Sequence, residues 1–402
     1  MEKSVKSNIE PHRGIVSCIY CGDAPINHGL FFFASLISMT IDRHVLKVTK
    51  NAPDFLRNFV DWLLYSFFEI LLFFNVIKLS DDINKSTTLR SRVIWEEANR
   101  RGIEMKQIIM FGKAIDQYRA KINGSIVYFN SLPIPQKLLN MSENWDDKFL
   151  LKKEFSKKNI PVPDYYQFAA FYPQNLENIF SKFKTPIIVK PRVGSRGRHT
   201  ITNIHNLEEF KQAVGVAKKI CSYLVAEEHL EGDVCRATFV DGVLMGFYRG
   251  SAPFVIGDGE KSIIQLIREK DEKRPVRVEK VLVNDELKNH ILRLGFKMDS
   301  VLPAGVRLPL SHRTGRLFGG VTREMLDELH PSFIPILTNA AKIVNLPVIG
   351  LDCIVPDPTR EATTQRWGII ECNTLPFIDL HYYALYGKPK NIAGKIWDLW
   401  GL

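Results

Sequence analysis

Asp352, Glu371 and Asn373 lie within two apolar runs, VIGLDCIV over 348–355 and WGIIECN over 367–373. A carboxylate in such company must be paired or bound to a cation, because an isolated buried charge is expensive. Glu371 and Asn373 are two residues apart, so an extended strand turns them to the same side. Their oxygens are hard donors of the kind Mg²⁺ prefers. The chain offers matching cations. Lys148 opens a charged amphipathic segment, and Lys190 ends PIIVK (186–190), directly before the loop VGSRGRH (193–199). Gly194 and Gly197, with Ser195 between them, let a backbone approach phosphate oxygens closely. Arg192, Arg196 and Arg198 add charge. Cations, a glycine-rich loop and oxygen ligands are the parts that hold a metal-bound triphosphate and stabilise phosphoryl transfer. Each alone is a weak signal, since strand-end lysines are commonly solvated and GxxG is commonly a turn.

The elements that must position these residues are legible from periodicity. Gly14–Tyr20 reads as a buried strand, Cys21–His28 as a polar turn and Leu30–Ile41 as helical. Ser91–Arg101 reads as a helix ending at Gly102. Ile108–Phe111, Tyr118–Ile122 and Ser125–Phe129 read as short strands, with Asn123-Gly124 a hairpin turn. Asp147–Lys158 is an amphipathic helix stopped by Ile160-Pro161-Val162-Pro163, since proline cannot continue a helix. Strand 186–190, the glycine loop, strand 201–204, helix 207–220 and strand 223–227 form a compact α+β unit. Cys235–Val240 and Val243–Tyr248, joined by Asp241-Gly242, are the clearest hairpin. The expected class is therefore α+β / α/β, with an N-terminal α/β unit followed by a mixed second half.

The 402 residues suffice for two or three compact units. Lys plus Arg exceed Asp plus Glu by ten (54 against 44). The basic residues are dispersed, so nucleic-acid binding is not expected. Six scattered cysteines are no disulfide framework and fit a reducing cytoplasm. Cys18-x-x-Cys21 has the spacing of a redox pair or half a zinc site. No second Cys or His pair sits nearby at suitable spacing, so both read as buried thiols. The polar N-terminus lacks the apolar core of a signal peptide. Residues 62–77 (WLLYSFFEILLFFNVI) form an apolar helix with Glu69 at its middle and a narrow polar seam of Asp61, Tyr65 and Glu69. That length and charge disfavour a membrane span. The helix is expected to pack in a protein interface, within the subunit or between two copies, with membrane-surface contact the lesser option.

The pieces DDKFLLKKEFSKKNIPVP, PIIVKPRVGSRG, LVAEEHLEGD, GLDCIV and IIECNTLP line up in an order that resembles the ATP-grasp superfamily. GDVCR, PFVIGDGEKSIIQLI, LGFKMDSVLPAGVRLPL, FGG, ELHP and DLHYYALYGKPKNIAGKIWDLW narrow the resemblance to the ATP-grasp part of cyanophycin synthetases, over about residues 144–400. The expected organisation is an N-terminal α/β (pre-ATP-grasp-like) domain over 1–144, outside the resemblance, and the resemblance implies a small lid subdomain over 145–226 and a C-terminal subdomain with the metal site over 227–402. It implies ATP and one or two Mg²⁺ ions, with Mn²⁺ as a substitute. Lys148 and Lys190 would contact ATP phosphates, and Gly194, Ser195 and Gly197 would close over them. Glu227, Glu228 and Leu230 would form the hinge beside adenine, and Asp233 would contact ribose. Asp352, Glu371 and Asn373 would hold the metal, and Arg249 and Arg236 would stabilise an acyl phosphate.

The implied activity is a carbon–nitrogen ligase joining a small-molecule carboxylate to an amine, each from an amino acid or peptide. A non-catalytic ATP-binding protein of the same fold, or a kinase acting on a hydroxyl, is the alternative. The sequence departs from the pattern in two places. Many ligases of the wider superfamily carry an Arg two residues before the first metal carboxylate, where this chain has Gly350. LSHRTGRLF over 310–318 matches poorly before Gly319-Gly320. The Mur-ligase-like unit of cyanophycin synthetases has no counterpart, so alternating polymer synthesis is not expected of this chain alone.

Overall fold

The computed structural model describes residues 18–21, 26–37, 54–139, 144–171, 175–194, 197–311 and 314–402. Most of the expected strand Gly14–Tyr20 lies outside them, as do residues 38–41, Ser195, Arg196 and Arg313. Ile19–Cys21 is a single 3-10 turn rather than a strand end. Residues 28–37 are helical (α1). The CxxC pair is not a pair of inert thiols in an apolar core, because its sulfurs face His28 and His199.

The N-terminal sheet is antiparallel in the order β1 to β4. Its strands are Ile77–Ser80 (β1), Glu104–Met110 (β2), Lys113–Ile122 (β3) and Ser125–Asn130 (β4). Two longer helices flank it, Asp54–Phe73 (α2) and Leu89–Arg100 (α3). Thr88 caps α3 by accepting from the Ser91 backbone N–H. Trp95 of α3 packs against Tyr118 and the C-terminal Trp397 in one cluster, so the chain's end closes this unit.

The apolar helix differs from its expected span of 62–77. It begins at Asp54 and stops at Phe73, and Ile77 opens β1. Asn75 takes a left-handed φ of 58° between helix and strand, which allows the reversal. Of the expected polar seam, Tyr65 and Glu69 meet the sheet, and the Asp61 side chain lies outside the described ones. Tyr128 donates to Glu69 Oε1 at 2.6 Å, and Arg119 lies 3.3 Å from the same oxygen. Phe68 stacks on Tyr128 with ring centroids 4.8 Å apart. Trp62, Phe67, Ile70 and Phe73 on the other side are exposed. Among the described residues no helix is long and apolar enough to cross a membrane.

The second sheet runs in the order β5-β8-β6-β7. It follows Lys148–Ser156 (α4) and comprises Tyr165–Ala169 (β5), Ile187–Pro191 (β6), Ile201–Ile204 (β7) and Tyr223–Glu228 (β8). Helices Leu176–Phe180 (α5) and Leu207–Ala217 (α6) cover one face, with Phe168 and Phe210 at the core.

The third sheet, β13-β10-β9-β14-β15, is built from Asp233–Val240 (β9), Val243–Gly250 (β10), Thr322–Glu324 (β13), Val348–Val355 (β14) and Gly368–Asn373 (β15). The insertion between β10 and β13 holds Phe254–Ile256 (β11), Ile263–Glu272 (α7), Asp285–Arg293 (α8) and Arg307–Pro309 (β12). Asp241 and Gly242 both take positive φ, 50° and 72°, as a two-residue hairpin of this hand requires. Strand alternation divides the large sheet. Cys235, Ala237, Phe239, Leu351 and Cys353 face the helix Phe333–Val344 (α9) in the largest core. Arg236, Thr238 and Asp352 face the other way. Short helices Asp379–Tyr382 (α10) and Ile392–Asp398 (α11) complete the chain.

Candidate active site

Between the second and third sheets lies a cavity of about 650 Å³, within the usual size of a small-ligand site. Lys148, Lys190, Gly194 and Gly197 line it on the side of the small sheet. Glu227, Glu228, Leu230 and Asp233 line its back, and Glu371 faces them from β15. With Arg198, ten of the residues singled out in the sequence thus share one enclosure, and Asp352, Asn373, Arg236 and Arg249 are not among its lining.

Lys148 is placed by the start of α4. Asp147 caps that helix, accepting from the Phe149 and Leu150 backbone N–H groups at 3.0 and 3.1 Å. Lys148 Nζ donates to the Gly194 carbonyl and lies 3.7 Å from Glu371 Oε1. It therefore links the glycine loop to the acidic wall. Lys190 Nζ sits 2.8 Å from Glu227 Oε2, and Lys152 Nζ sits 2.9 Å from Glu227 Oε1. Lys152, on the charged amphipathic helix, is fully buried and also donates to the Ile370 carbonyl at 2.8 Å. Burial pushes its pKa down to about 7 against the pull of Glu227. Burial would raise the Glu227 carboxyl, but the two lysines together hold it below the usual carboxylate range.

The three oxygen-bearing residues converge by register. Asp352 lies opposite Glu371, and Gly350 opposite Asn373, across β14 and β15. Asn373 Nδ2 donates to Asp352 Oδ2 at 3.1 Å. On the other flank Asp352 lies opposite Arg236 of β9. Arg236 grips it in a bidentate pair, Nε to Oδ1 at 2.6 Å and Nη2 to Oδ2 at 2.7 Å. Burial disfavours the guanidinium charge, and Asp352 together with Glu371 outweighs that, so its pKa is raised. The Nη1 of Arg236 is buried without a protein partner, a cationic donor left over for an anion or a water. A Cβ on Gly350 would lie 3.4 Å from Arg236 Cδ and 2.8 Å from Pro376 Cβ. The glycine thus makes room for the arginine of the neighbouring strand. Two carboxylates and one amide, all hard oxygen donors beside a cavity, suit Mg²⁺ in their chemistry.

Arg249 is placed differently. It lies opposite Cys235, whereas Arg236 lies opposite Tyr248, so alternation puts the two arginines on opposite faces of the hairpin. They cannot share one cleft through adjacent strand faces. Arg249 instead holds Asp233, Nε to Oδ2 at 2.8 Å. Arg192 is also committed. It ion-pairs with Asp147 at 2.6 Å and braces the cap of α4, while Arg198 lines the cavity. Glu228 turns outward to Arg366 and accepts from the Asp164 backbone N–H at 3.1 Å, leaving its backbone at the cavity wall.

The chain is thus a mixed α/β protein with a ligand-sized cavity between two antiparallel sheets, lysines and carboxylates lining its walls. No protein-family model matches the chain. Over 261 residues, 63% of this chain and 29% of the relative, it is 28% identical to a cyanophycin synthetase of Trichormus variabilis. It is 25% identical over 264 residues to the glutathione biosynthesis bifunctional protein GshAB of Clostridium perfringens, covering 63% of this chain and 34% of that one. The bifunctional glutathione synthetase structure from Pasteurella multocida superposes on 79% of this chain and 44% of its own, with a TM-score of 0.52 and 19% identity. The chain spans about a third of the length of the curated relatives it matches. Its fold is that of this glutathione synthetase structure, and over 261 residues its sequence resembles cyanophycin synthetases.

Proposed function

We propose that this chain is an ATP-dependent carbon–nitrogen ligase that activates a carboxylate as an acyl phosphate. The observation that carries the reading is that Lys148, Lys190 and Glu371 line one cavity, with Asp352 directly opposite Glu371 and Asn373 two residues beyond it on the same strand. The carboxylate oxygen of the acid attacks the γ-phosphorus, and ADP leaves. The amine then attacks the acyl carbon, phosphate leaves, and the amine's proton passes to solvent. Lys148 and Lys190 would offset the charge on the phosphate oxygens. The Gly194–Gly197 loop would wrap them and exclude water from the acyl phosphate. Glu227, Glu228 and Leu230 would border the adenine, and Asp233 the ribose. Asp352, Glu371 and Asn373 would hold Mg²⁺, which supplies charge neutralisation on phosphate oxygens when bound. Amino acids or peptides are the proposed acid and amine, as for the named relatives. The test is phosphate release from Mg²⁺-ATP in a screen of paired amino acids and dipeptides. Release dependent on both partners, with an amide product, is expected. A phosphorylated product without free phosphate would make it a kinase, and nucleotide binding with no turnover would make it a binding protein.

The residue proposed to face the forming acyl phosphate is Arg236, because its Nη1 is the buried donor left unpaired beside Asp352. Arg236→Lys keeps the charge but loses the planar fork. It should lower kcat by about a hundredfold, the usual cost of one transition-state donor. Arg249→Ala, by releasing Asp233, should act chiefly on the KM for ATP. Steady-state kinetics on both variants decides. A kcat defect confined to Arg249→Ala would return the role to Arg249.

A further inference from the structure

Cys18, Cys21, His28 and His199 present four ligand atoms that all lie within 4.8 Å of one another. The two histidine Nε2 atoms are 3.2 Å apart. Cys21 Sγ lies 3.2 Å from His28 Nε2 and 3.6 Å from His199 Nε2, and Cys18 Sγ lies 3.6 Å from His199 Nε2. In a tetrahedral zinc site, ordinary Zn–N and Zn–S bonds put nitrogens about 3.3 Å apart and nitrogen about 3.6 Å from sulfur. The His28–His199 edge and both Cys–His199 edges fall close to that tetrahedron, and the Cys21–His28 edge is shorter at 3.2 Å.

The surroundings support a metal more than a chance polar contact. The Cys21 N–H donates to the Cys18 carbonyl at 3.0 Å, which folds the CxxC into a knuckle with both sulfurs on one side. His199 Nδ1 lies 2.8 Å from the Val216 carbonyl. A carbonyl can only accept, so Nδ1 carries the proton and Nε2 turns its lone pair to the cluster, as metal-bound histidines are commonly oriented. The His199 backbone N–H donates to the Tyr20 carbonyl at 2.9 Å, tying the two segments independently of any ion. Cys21 and His199 are fully buried.

We infer that these four residues form a closed Cys₂His₂ site for Zn²⁺, which clasps the N-terminal segment to the small sheet beside the phosphate-facing loop. Two thiolates and two neutral imidazoles are soft-to-borderline ligands, which select zinc over magnesium. Four protein ligands leave no open position, so the site is structural. Binding releases the two thiol protons to solvent. His199 follows directly on the glycine-arginine loop, and a Cβ on Gly194 would lie 3.7 Å from the Phe31 ring of α1. The ion therefore fixes both the loop's far end and the helix that flanks its start.

The test is elemental analysis of the full chain, purified with reductant and without chelator. One zinc per chain is expected, retained through gel filtration in Mg²⁺ buffer. Replacement by Co²⁺ should give the intense visible bands of a tetrahedral ion and a near-ultraviolet thiolate charge-transfer band. Oxygen ligation at Glu371 cannot give that charge-transfer band. The Cys18→Ser/Cys21→Ser double variant should lose the zinc and the band, whereas Glu371→Gln should keep both. A wild-type chain that takes up no zinc when supplied with the free ion at micromolar concentration would overturn the site. So would a cobalt spectrum without the thiolate band, or zinc retained by the double variant. The wild-type measurements stand even if the double variant fails to fold.

Discussion

Glu371→Gln should lower ATP-dependent phosphate release by about a thousandfold or more, because removing a carboxylate proposed to hold the metal would forfeit several kcal/mol of transition-state stabilisation. The substitution keeps the shape of the side chain and removes one charge. Glu371 is the member of the oxygen cluster that lines the cavity itself, and it sits 3.7 Å from Lys148. Asp352 already spends both oxygens on Arg236 and one of them on Asn373 as well. Glu371 is thus the carboxylate with most of its coordination capacity left. The fold should survive, since Glu371 is half-buried within β15 and is not part of the apolar core. Phosphate release, nucleotide titration with and without Mg²⁺, and a urea unfolding curve check the three parts of the expectation. Near-normal release in a folded variant would refute the metal assignment.

The large sheet's contribution to the site could be read from sequence because its signals are local. Alternation within VIGLDCIV and WGIIECN fixes which side chains share a face, and Asp241-Gly242 fixes the register of the hairpin beside them. Asp147 marked the start of the helix that delivers Lys148. What was missed depends on residues distant in sequence. Lys152 looks like any charge on an amphipathic helix, and only the approach of β8 and β15 buries it against Glu227 and Ile370. Arg236 fills the space above Gly350 from a neighbouring strand, so the missing Arg at 350 gave no hint of where the charge would come from. The N-terminal cysteines find a histidine 178 residues away, a partner no spacing rule could pair with them. The same holds for His381, buried between Thr238 at 2.7 Å and Glu324 at 2.5 Å. A Cβ on Gly246 would strike that ring at 2.5 Å, which accounts for a glycine inside β10. The apolar stretch at 62–77 was recognised by composition. Its true start at Asp54 is preceded by no apolar periodicity that would announce it, and its end is set by the turn at Asn75.

Glu227→Gln should cost about 3–5 kcal/mol of stability at neutral pH, the range for removing one partner of a buried ion pair. The carboxylate is 1% exposed and is the shared counter-charge of Lys152 and Lys190, at 2.9 and 2.8 Å. A neutral amide leaves Lys152 and Lys190 buried without their shared counter-charge. The sign of the pH dependence follows from Lys152. Its folded pKa of about 7 lies below the ordinary lysine value of 10.5, so between those values the unfolded chain holds a proton the folded chain has lost. Stability from this group is therefore fully present above the upper value and is lost as pH falls toward about 7. Without Glu227 the folded pKa of Lys152 drops further. The variant then goes on losing stability below the pH at which the wild type has stopped, and the gap between them widens from about pH 8 to about pH 6. Urea midpoints of both proteins at several pH values in that range measure the gap. A deficit that stayed constant with pH would mean that Lys152 is neutral throughout in the wild type. Its contacts with Glu227 and the Ile370 carbonyl would then be ordinary hydrogen bonds, and the small sheet would be held to the large one by packing rather than by charge.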